Sequence, residues 1–341
     1  MPFIDRRLPA GFLADSLRAD ALAGLTATPK SLPPKWFYDA NGSALFEKIT
    51  ELPEYYPTRA ERSILRERAA LIAEQTQART LVELGSGSSE KTRLLLSALQ
   101  DAGSLRCYVP VDVSEPALTM AADALTADYP GLDVRAVVSD FEEHLGLPGP
   151  GDAPAPRLVA FLGSTIGNLV PRARAQFLAR VRAELGPGDS FLLGTDLVKD
   201  PAVLVAAYDD DAGVTAAFNK NVLSVLNAEL GADFDLDAFE HVALWDPSAE
   251  WIEMRLRSLT AQTVHLPGIG LSVEFGAGEE MRTEVSAKFR RDGVAAELAA
   301  AGFEIRSWQT DPDGQFALSL SVPADAEDRH VEDGGVAPTR G

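Results

Sequence analysis

The stretch Leu81–Thr92 reads LVELGSGSSEKT. An apolar run closes on Glu83 and Leu84, Gly85 and Gly87 flank a serine, and a polar helix start follows. A strand, a glycine turn and a helix in that order form the shape that wraps a nucleotide. Two phosphate-binding patterns fail at one position. The dinucleotide fingerprint G-x-G-x-x-G needs its third glycine where Glu90 stands, and the Walker pattern needs a glycine directly before Lys-Thr, again at Glu90. Glu83 and Glu90 also bring negative charge to a place where pyrophosphate needs the opposite.

The pattern around this turn alternates strands and helices. TLVEL, CYVPVDV, LDVRAVV, RLVAFLG and SFLLGTD read as strands. Between them KTRLLLSALQ, ALTMAADALTADY and ARAQFLARVRAEL carry apolar residues at helical spacing. Strands apolar throughout and joined by amphipathic helices indicate a parallel sheet covered on both faces, hence a doubly wound α/β fold. GLPGPGDAPAPR, Gly146 to Arg157, reads as a loop inside that domain.

The next strand ends bear on the ligand. The second ends in Asp112, placed to accept hydrogen bonds from two ribose hydroxyls. The third ends in Asp140-Phe141, a carboxylate for an adenine amino group and a ring to stack on the base. Each also has a plain structural reading: Asp112 as the cap of the helix starting near Ser114, Phe141 as core. Three successive strand ends with fitting chemistry favour the ligand reading. A nucleoside without phosphates and with a positive centre is S-adenosylmethionine, and the fold class is then the Rossmann-like class I methyltransferase fold.

Bulk properties narrow the alternatives. The 341 residues are 46% hydrophobic and 24% charged, enough for a sizeable core. A net charge of -20 without clustered Lys and Arg argues against a nucleic-acid partner. No apolar stretch reaches the length a bilayer requires and no cleavable leader is evident, so a cytoplasmic protein without membrane contact is expected. Nothing resembles a dimerisation stripe, and a monomer is expected. Cys107, the single cysteine, reads as a small core hydrophobe. His144, His241, His265 and His330 share no ligand spacing, so no metal site is expected.

After Asp196 the rhythm changes. Residues 200–230 read as helical, and VALW, WIEMRLRSLTAQTVHL and LSVEF as antiparallel strands. DGVAAELAAAG, FEIRSWQT and FALSLSV then read as a helix and a closing hairpin at a sheet edge. The expected organisation is a nucleoside-binding domain of residues 62–196 plus 287–322, with a second α+β substrate-binding domain of residues 1–61 plus 197–286. The tail, 323–341, is nearly free of apolar residues and is expected to be disordered.

From Leu25 the chain resembles the histidine-specific, S-adenosylmethionine-dependent methyltransferases that make hercynine in ergothioneine biosynthesis. The resemblance is carried by LTATPKSLPPKWFYDANGSALFEKITELPEYYPTRAE (Leu25 to Glu61), VELGSGSSEKT, SDFEEHL, FLGSTIGNL, GTDLVKD, AYDDDAGVTAAFNKNVL and GEEMRTEVSAKF. It spares only the first twenty or so residues and the acidic tail. Departures are conservative: Ser88 where Thr is frequent, Asp211 where Ala is common, Ala287 where Cys is frequent.

The resemblance implies roles. Gly85, Lys91, Asp112, Asp140 and Phe141 form the S-adenosylmethionine site, with Tyr38 near its methionine end. L-histidine lies between the two domains. Asn168 and Tyr208 hold its α-amino and α-carboxylate ends, and Gly163 and Thr165 shape that site. Tyr55, Glu284 and Ser286 read the imidazole, with Val285 beside them, and Met254 and Phe218 line the pocket. Tyr38, Asn168 and Gly163 are the groups expected nearest the chemistry. Plain alternatives stand beside these: Tyr55 or its neighbour Tyr56 as packing, and Met254 as core. Three other readings are weaker: a methyltransferase acting on another aromatic amino acid, a protein that binds the nucleoside without catalysis, and a nicotinamide-dependent oxidoreductase.

Overall fold

The computed structural model describes residues 3–87, 89, 91–149 and 151–324. Ser88, Glu90 and the tail from 325 onward, where disorder is expected, lie outside them.

The chain opens with β1 (Phe3–Arg6), α1 (Phe12–Thr26), a 3-10 turn (Pro34–Phe37), α2 (Ala40–Glu51) and α3 (Pro57–Thr76). An α/β alternation follows: β2 (Thr80–Leu84), α4 (Arg93–Asp101), β3 (Cys107–Asp112), α5 (Glu115–Asp128), β4 (Asp133–Val138) and β5 (Arg157–Phe161). A 3-10 turn (Thr165–Asn168), α6 (Pro171–Glu184) and β6 (Ser190–Asp196) complete it. Next come α7 (Pro201–Ala206), α8 (Val214–Leu230), β7 (Phe239–Asp246), β8 (Trp251–Ser258), β9 (Gln262–Leu266), β10 (Leu271–Phe275) and β11 (Glu280–Ala287). The chain closes with α9 (Arg291–Ala300), β12 (Phe303–Thr310) and β13 (Phe316–Pro323).

The main sheet has eight strands in the order β1-β4-β3-β2-β5-β6-β13-β12. The first six run parallel, while β13 is antiparallel to both β6 and β12. Every residue of β2, β5 and β6 is buried, which accounts for their unbroken apolar reading. Separate apolar cores cover the two faces, one around Leu65, Leu96 and Tyr108, the other around Phe161, Phe177 and Phe191. The order reverses between β2 and β5, where strands of an α/β sheet open a crevice at their carboxyl ends. This is the class I methyltransferase fold.

A third core joins α1, α2, α8 and a three-stranded antiparallel sheet, β11-β8-β7, with the hairpin β9-β10 beside them. Three features differ from the sequence reading. Phe3–Arg6 does not accompany the third core; it extends the main sheet, with Phe3 opposite Arg135 of β4. Helix α3 begins at Pro57, a favoured first helical position, and its Ala60, Ile64 and Leu65 join the main-sheet core. The 200–230 segment is two helices parted by a turn, because Asp210 caps the second through the N–H groups of Val214 and Thr215.

Candidate active site

The glycine turn leaves β2 with Gly85 at φ +65° and Gly87 at φ +50°, conformations that a side chain resists. Gly85 and Ser86 donate to the Val111 carbonyl at 2.8 and 3.2 Å, and Gly87 donates to Asp112 Oδ2 at 3.0 Å. The turn is thus tied to the end of β3. Glu83 takes no part in repelling a ligand. It is buried beneath the turn, accepting from Thr92 Oγ1 at 2.5 Å and Tyr108 at 2.6 Å, and burial pushes its carboxyl up to about 7. The charge argument made from Glu83 is therefore corrected, and Glu90 lies outside the described residues.

Asp112 serves its plain reading and keeps acceptors for the other. Oδ1 accepts from the Ser114 N–H at 2.9 Å and Oδ2 from Gly87, while a carboxylate keeps lone pairs for further donors. Asp140 is 3% exposed. Its Oδ1 accepts from the Glu142 N–H at 2.9 Å, but Oδ2 has no hydrogen-bond partner, with Lys35 Nζ 3.5 Å away. A buried acceptor without a donor is costly, and an adenine amino group supplies one. Phe141 lies edge-on to Phe161, centroids 5.2 Å apart, and a Cβ at Gly85 would stand 3.5 Å from its ring. The residues present fit S-adenosylmethionine.

Lys91 Nζ meets Glu61 Oε2 at 2.5 Å, and Glu61 Oε1 accepts from the Gly163 N–H at 2.8 Å. One fully buried carboxylate on α3 thus joins the end of the glycine turn to the loop after β5. Gly163 at φ +76° starts that loop, and Thr165 Oγ1 closes it by donating to the Leu162 carbonyl at 3.0 Å. Asn168, at its end, donates to the Val285 carbonyl at 2.8 Å.

The facing wall comes from the third core. Tyr38 follows the Pro34–Phe37 turn, which Asn221 Nδ2 holds through the Phe37 carbonyl at 3.0 Å and Asp39 Oδ1 at 2.8 Å. The Tyr38 ring packs on Phe46 and Phe218, and Tyr38 lies within electrostatic reach of Glu284, Tyr55, Tyr208 and Asp112. Tyr55 and Tyr208 stand edge to face at 6.3 Å. Burial first, then Tyr208 and Glu284 for Tyr55, and Glu284 and Asp196 for Tyr208, hold both phenols well above their ordinary range.

Glu284 follows a bulge at Thr283 and lies opposite Met254. Burial pushes its carboxyl up to about 7, against the pull of Lys288 and the Asn168 amide. Met254 is 2% exposed and sits in the third core, as its plain reading expects. Phe218 also belongs to that core but touches Tyr38.

Behind this wall runs a buried ionic network. Asp196 pairs with Lys199 at 2.5 Å and with Lys288 at 2.9 Å, and Tyr56 donates to it at 2.8 Å. Lys288 also donates to Tyr208 Oη and Ser286 Oγ, both at 2.9 Å, and those two oxygens are 2.7 Å apart. Burial brings Lys199 down to about 8 in spite of Asp196. His241 Nε2 donates to the Tyr208 carbonyl at 2.8 Å while Nδ1 accepts from Asn219 at 2.8 Å, and burial lowers its pKa. Among the described residues no three His, Cys, Asp or Glu side chains converge as metal ligands, and no helix is long and apolar enough to cross a membrane.

Residues 17–323 match the family described as histidine-specific methyltransferase, S-adenosylmethionine-dependent. The chain belongs to that family. A histidine N-alpha-methyltransferase of Mycolicibacterium smegmatis is 61% identical over 92% of this chain and 97% of its own length. One of Mycobacterium tuberculosis is 59% identical over 92% of this chain and 96% of its own. A 4-dimethylallyltryptophan N-methyltransferase of Claviceps purpurea is 31% identical over 64% of this chain and 65% of its own.

In this methyltransferase Tyr38 packs on Phe218 and Tyr55 on Tyr208, Tyr208 meets Ser286, and Asn168 reaches Val285 between Glu284 and Ser286, while Gly85, Asp112 and Asp140 follow or close the strands β2, β3 and β4. Val285 offers its carbonyl to Asn168, and Thr165 holds the loop that presents it. The sequence reading assigned nothing to Glu61, Asp196, Lys199 and Lys288. Glu61 had a visible signal, a lone carboxylate on the apolar stripe Ala60, Ile64, Leu65 of a helix. Asp196 and Lys288 had none, since their pairing spans 92 positions and exists only after folding.

Proposed function

We propose that the chain transfers methyl groups from S-adenosylmethionine to the α-amino nitrogen of L-histidine, three times in succession. The product is N-alpha,N-alpha,N-alpha-trimethyl-L-histidine, hercynine, and the reaction is the first step of ergothioneine biosynthesis, carried out by a cytoplasmic monomer. One observation carries this reading: Asn168, on the loop that leaves the main sheet after β5, donates to the Val285 carbonyl at 2.8 Å and so sets the Glu284–Ser286 stretch of β11 against that sheet's strand ends. The likeness to histidine N-alpha-methyltransferases along nearly their whole length supports it.

The donor, when bound, supplies an electrophilic methyl on a sulfonium. Gly85, Lys91, Asp112, Asp140 and Phe141 hold it. The chain does the positioning: displacement at carbon demands that the amine lone pair face the methyl at close range. Asn168 and Tyr208 hold the two ends of the amino acid, Asn168 by donating to the carboxylate and Tyr208 by accepting from the amine, and Gly163 keeps the loop after β5 close to Lys91. A sulfonium beside the amine favours its neutral form. The Tyr38 and Phe218 rings tolerate the final quaternary ammonium through cation–π contact.

Glu284 accepts a ring N–H, with Ser286, Tyr55 and Val285 beside it and Met254 behind. A buried carboxylate left without that partner penalises an apolar ring. We divide the chain by its cores into a donor-binding unit, including Phe3–Arg6 and α3, and a substrate-binding unit built from α1, α2 and residues 197–286. The test is incubation with S-adenosylmethionine and each amino acid in turn, read by product mass. Histidine gaining three methyl groups is the expected result, and gain on another amino acid alone overturns the reading.

A further inference from the structure

Glu284 and Ser286, near the end of β11, alternate with Lys288 just past it, and the Lys288 ammonium comes back to Ser286 Oγ. Two of them touch substrate in the reading above. The third does not reach the cavity: the Lys288 side chain is 0% exposed. An ammonium has three donors and no acceptor; here it donates to Tyr208 Oη and Ser286 Oγ, both at 2.9 Å, and is held in an ion pair with Asp196 Oδ2 at 2.9 Å. Asp196 is itself fixed by Lys199 and Tyr56. The lysine has nowhere to swing.

That commitment orders the two hydroxyls. Each oxygen already accepts from Lys288, and at 2.7 Å one hydrogen lies between them. Either oxygen can be the donor; a phenol is the better donor and an alkyl hydroxyl the better acceptor, which favours Tyr208 donating and Ser286 accepting. Ser286 Oγ then has both lone pairs filled, and its only remaining function is its own hydrogen. Two positions earlier on the same face, about 6.7 Å along the strand, Glu284 offers acceptors only. An azole ring with two hydrogen bonds of about 2.8 Å bridges a gap of that size.

We infer that Lys288 is a positioning residue that sets side-chain selectivity. By saturating the Ser286 oxygen it makes that hydroxyl a donor, so the site takes a ring offering an N–H to Glu284 and a bare nitrogen lone pair to Ser286. A neutral azole has both. A pyrrole or indole has no lone pair to give, and a protonated azole has none left. The inference rests on the reading that Glu284 and Ser286 contact the substrate ring.

The test compares histidine with the two pyrrolylalanine isomers that replace one ring nitrogen by C–H, using wild type, Lys288→Met and Ser286→Ala. Wild type should prefer histidine over either pyrrole by about 100-fold in kcat/KM. Lys288→Met should cut that preference to about tenfold or less, mainly by raising KM for histidine, with S-adenosylmethionine affinity unchanged. In a Ser286→Ala background the same replacement should leave the preference where it is. Equal losses on histidine and pyrroles, or an undiminished preference, would reduce Lys288 to a structural role and overturn the inference. If Lys288→Met no longer binds S-adenosylmethionine and so has not folded, Lys288→Gln takes its place under the same criteria. A wild type that turns over a pyrrole as well as histidine also overturns it. A wild type that leaves histidine unmethylated defeats the functional reading as well.

Discussion

Asp140 and Glu83 are both buried carboxylates close to the glycine turn, yet they stand in opposite conditions. Asp140 Oδ2 lacks a donor that a ligand amino group would bring. Replacing Asp140 by Ala should weaken S-adenosylmethionine binding by about tenfold, with histidine affinity little changed, as titration calorimetry would record. Equal binding by the variant would remove the adenine contact from the assignment. Glu83 is satisfied by Thr92 and Tyr108 but lifted from an ordinary 4.5 to about 7 by burial. A carboxyl with a raised folded pKa holds its proton better folded than unfolded. Its contribution to stability is fully present below pH 4.5 and is lost as pH rises through about 7. The loss is on the order of 3 kcal/mol, and Glu284, lifted to the same value, adds a similar slope. Glu83→Gln should therefore remove about half of the decline in denaturant-measured stability across this range; an unchanged decline would place its source elsewhere. The partners of Glu83 were not legible in the sequence. Strand alternation says that position 83 has a side, but only the folded α4 and β3 show what waits there.

At the scale of elements, the substrate side depends on how closely α2 approaches the turn carrying Tyr38. A Cβ on Gly42 would stand 1.7 Å from the Phe37 carbonyl oxygen and 2.9 Å from Asn221 Nδ2. Gly42→Ala must push the helix away from that turn, loosening the Phe37, Tyr38 and Phe218 contacts together. The expected cost is on the order of 2–3 kcal/mol in thermal or chemical unfolding, with reduced turnover. Gly293 gives the contrast: it lies in α9 with nothing within 4 Å of a Cβ, and Ala there should be neutral or stabilising by up to about 1 kcal/mol. Similar melting temperatures for the two variants would refute the packing argument. The strands and helices of the α/β alternation were readable because burial on both faces leaves long apolar runs. β1 was not, since FIDR is four residues long with its ends exposed, and only pairing with β4 makes it a strand. Gly42 reads as one glycine among 27 until Phe37 is seen against it.

Over the whole molecule, what the sequence made legible follows the range of the interactions. The glycine turn and the acidic strand ends are local and were readable, whereas the network joining Asp196 to Lys288 depends on chain returning from a distant insertion. That return sets an order of events during synthesis. Strands β7 to β11 and helix α8 are all made before β13, and β13 lies between β6 and β12. Until Phe316–Pro323 has left the ribosome, β6 presents an open hydrogen-bonding edge whose apolar residues lie next to the nascent chain. The antiparallel sheet and α8 can thus be complete while the main sheet is still unfinished, and among the described residues the last strand to emerge is the one that seals it.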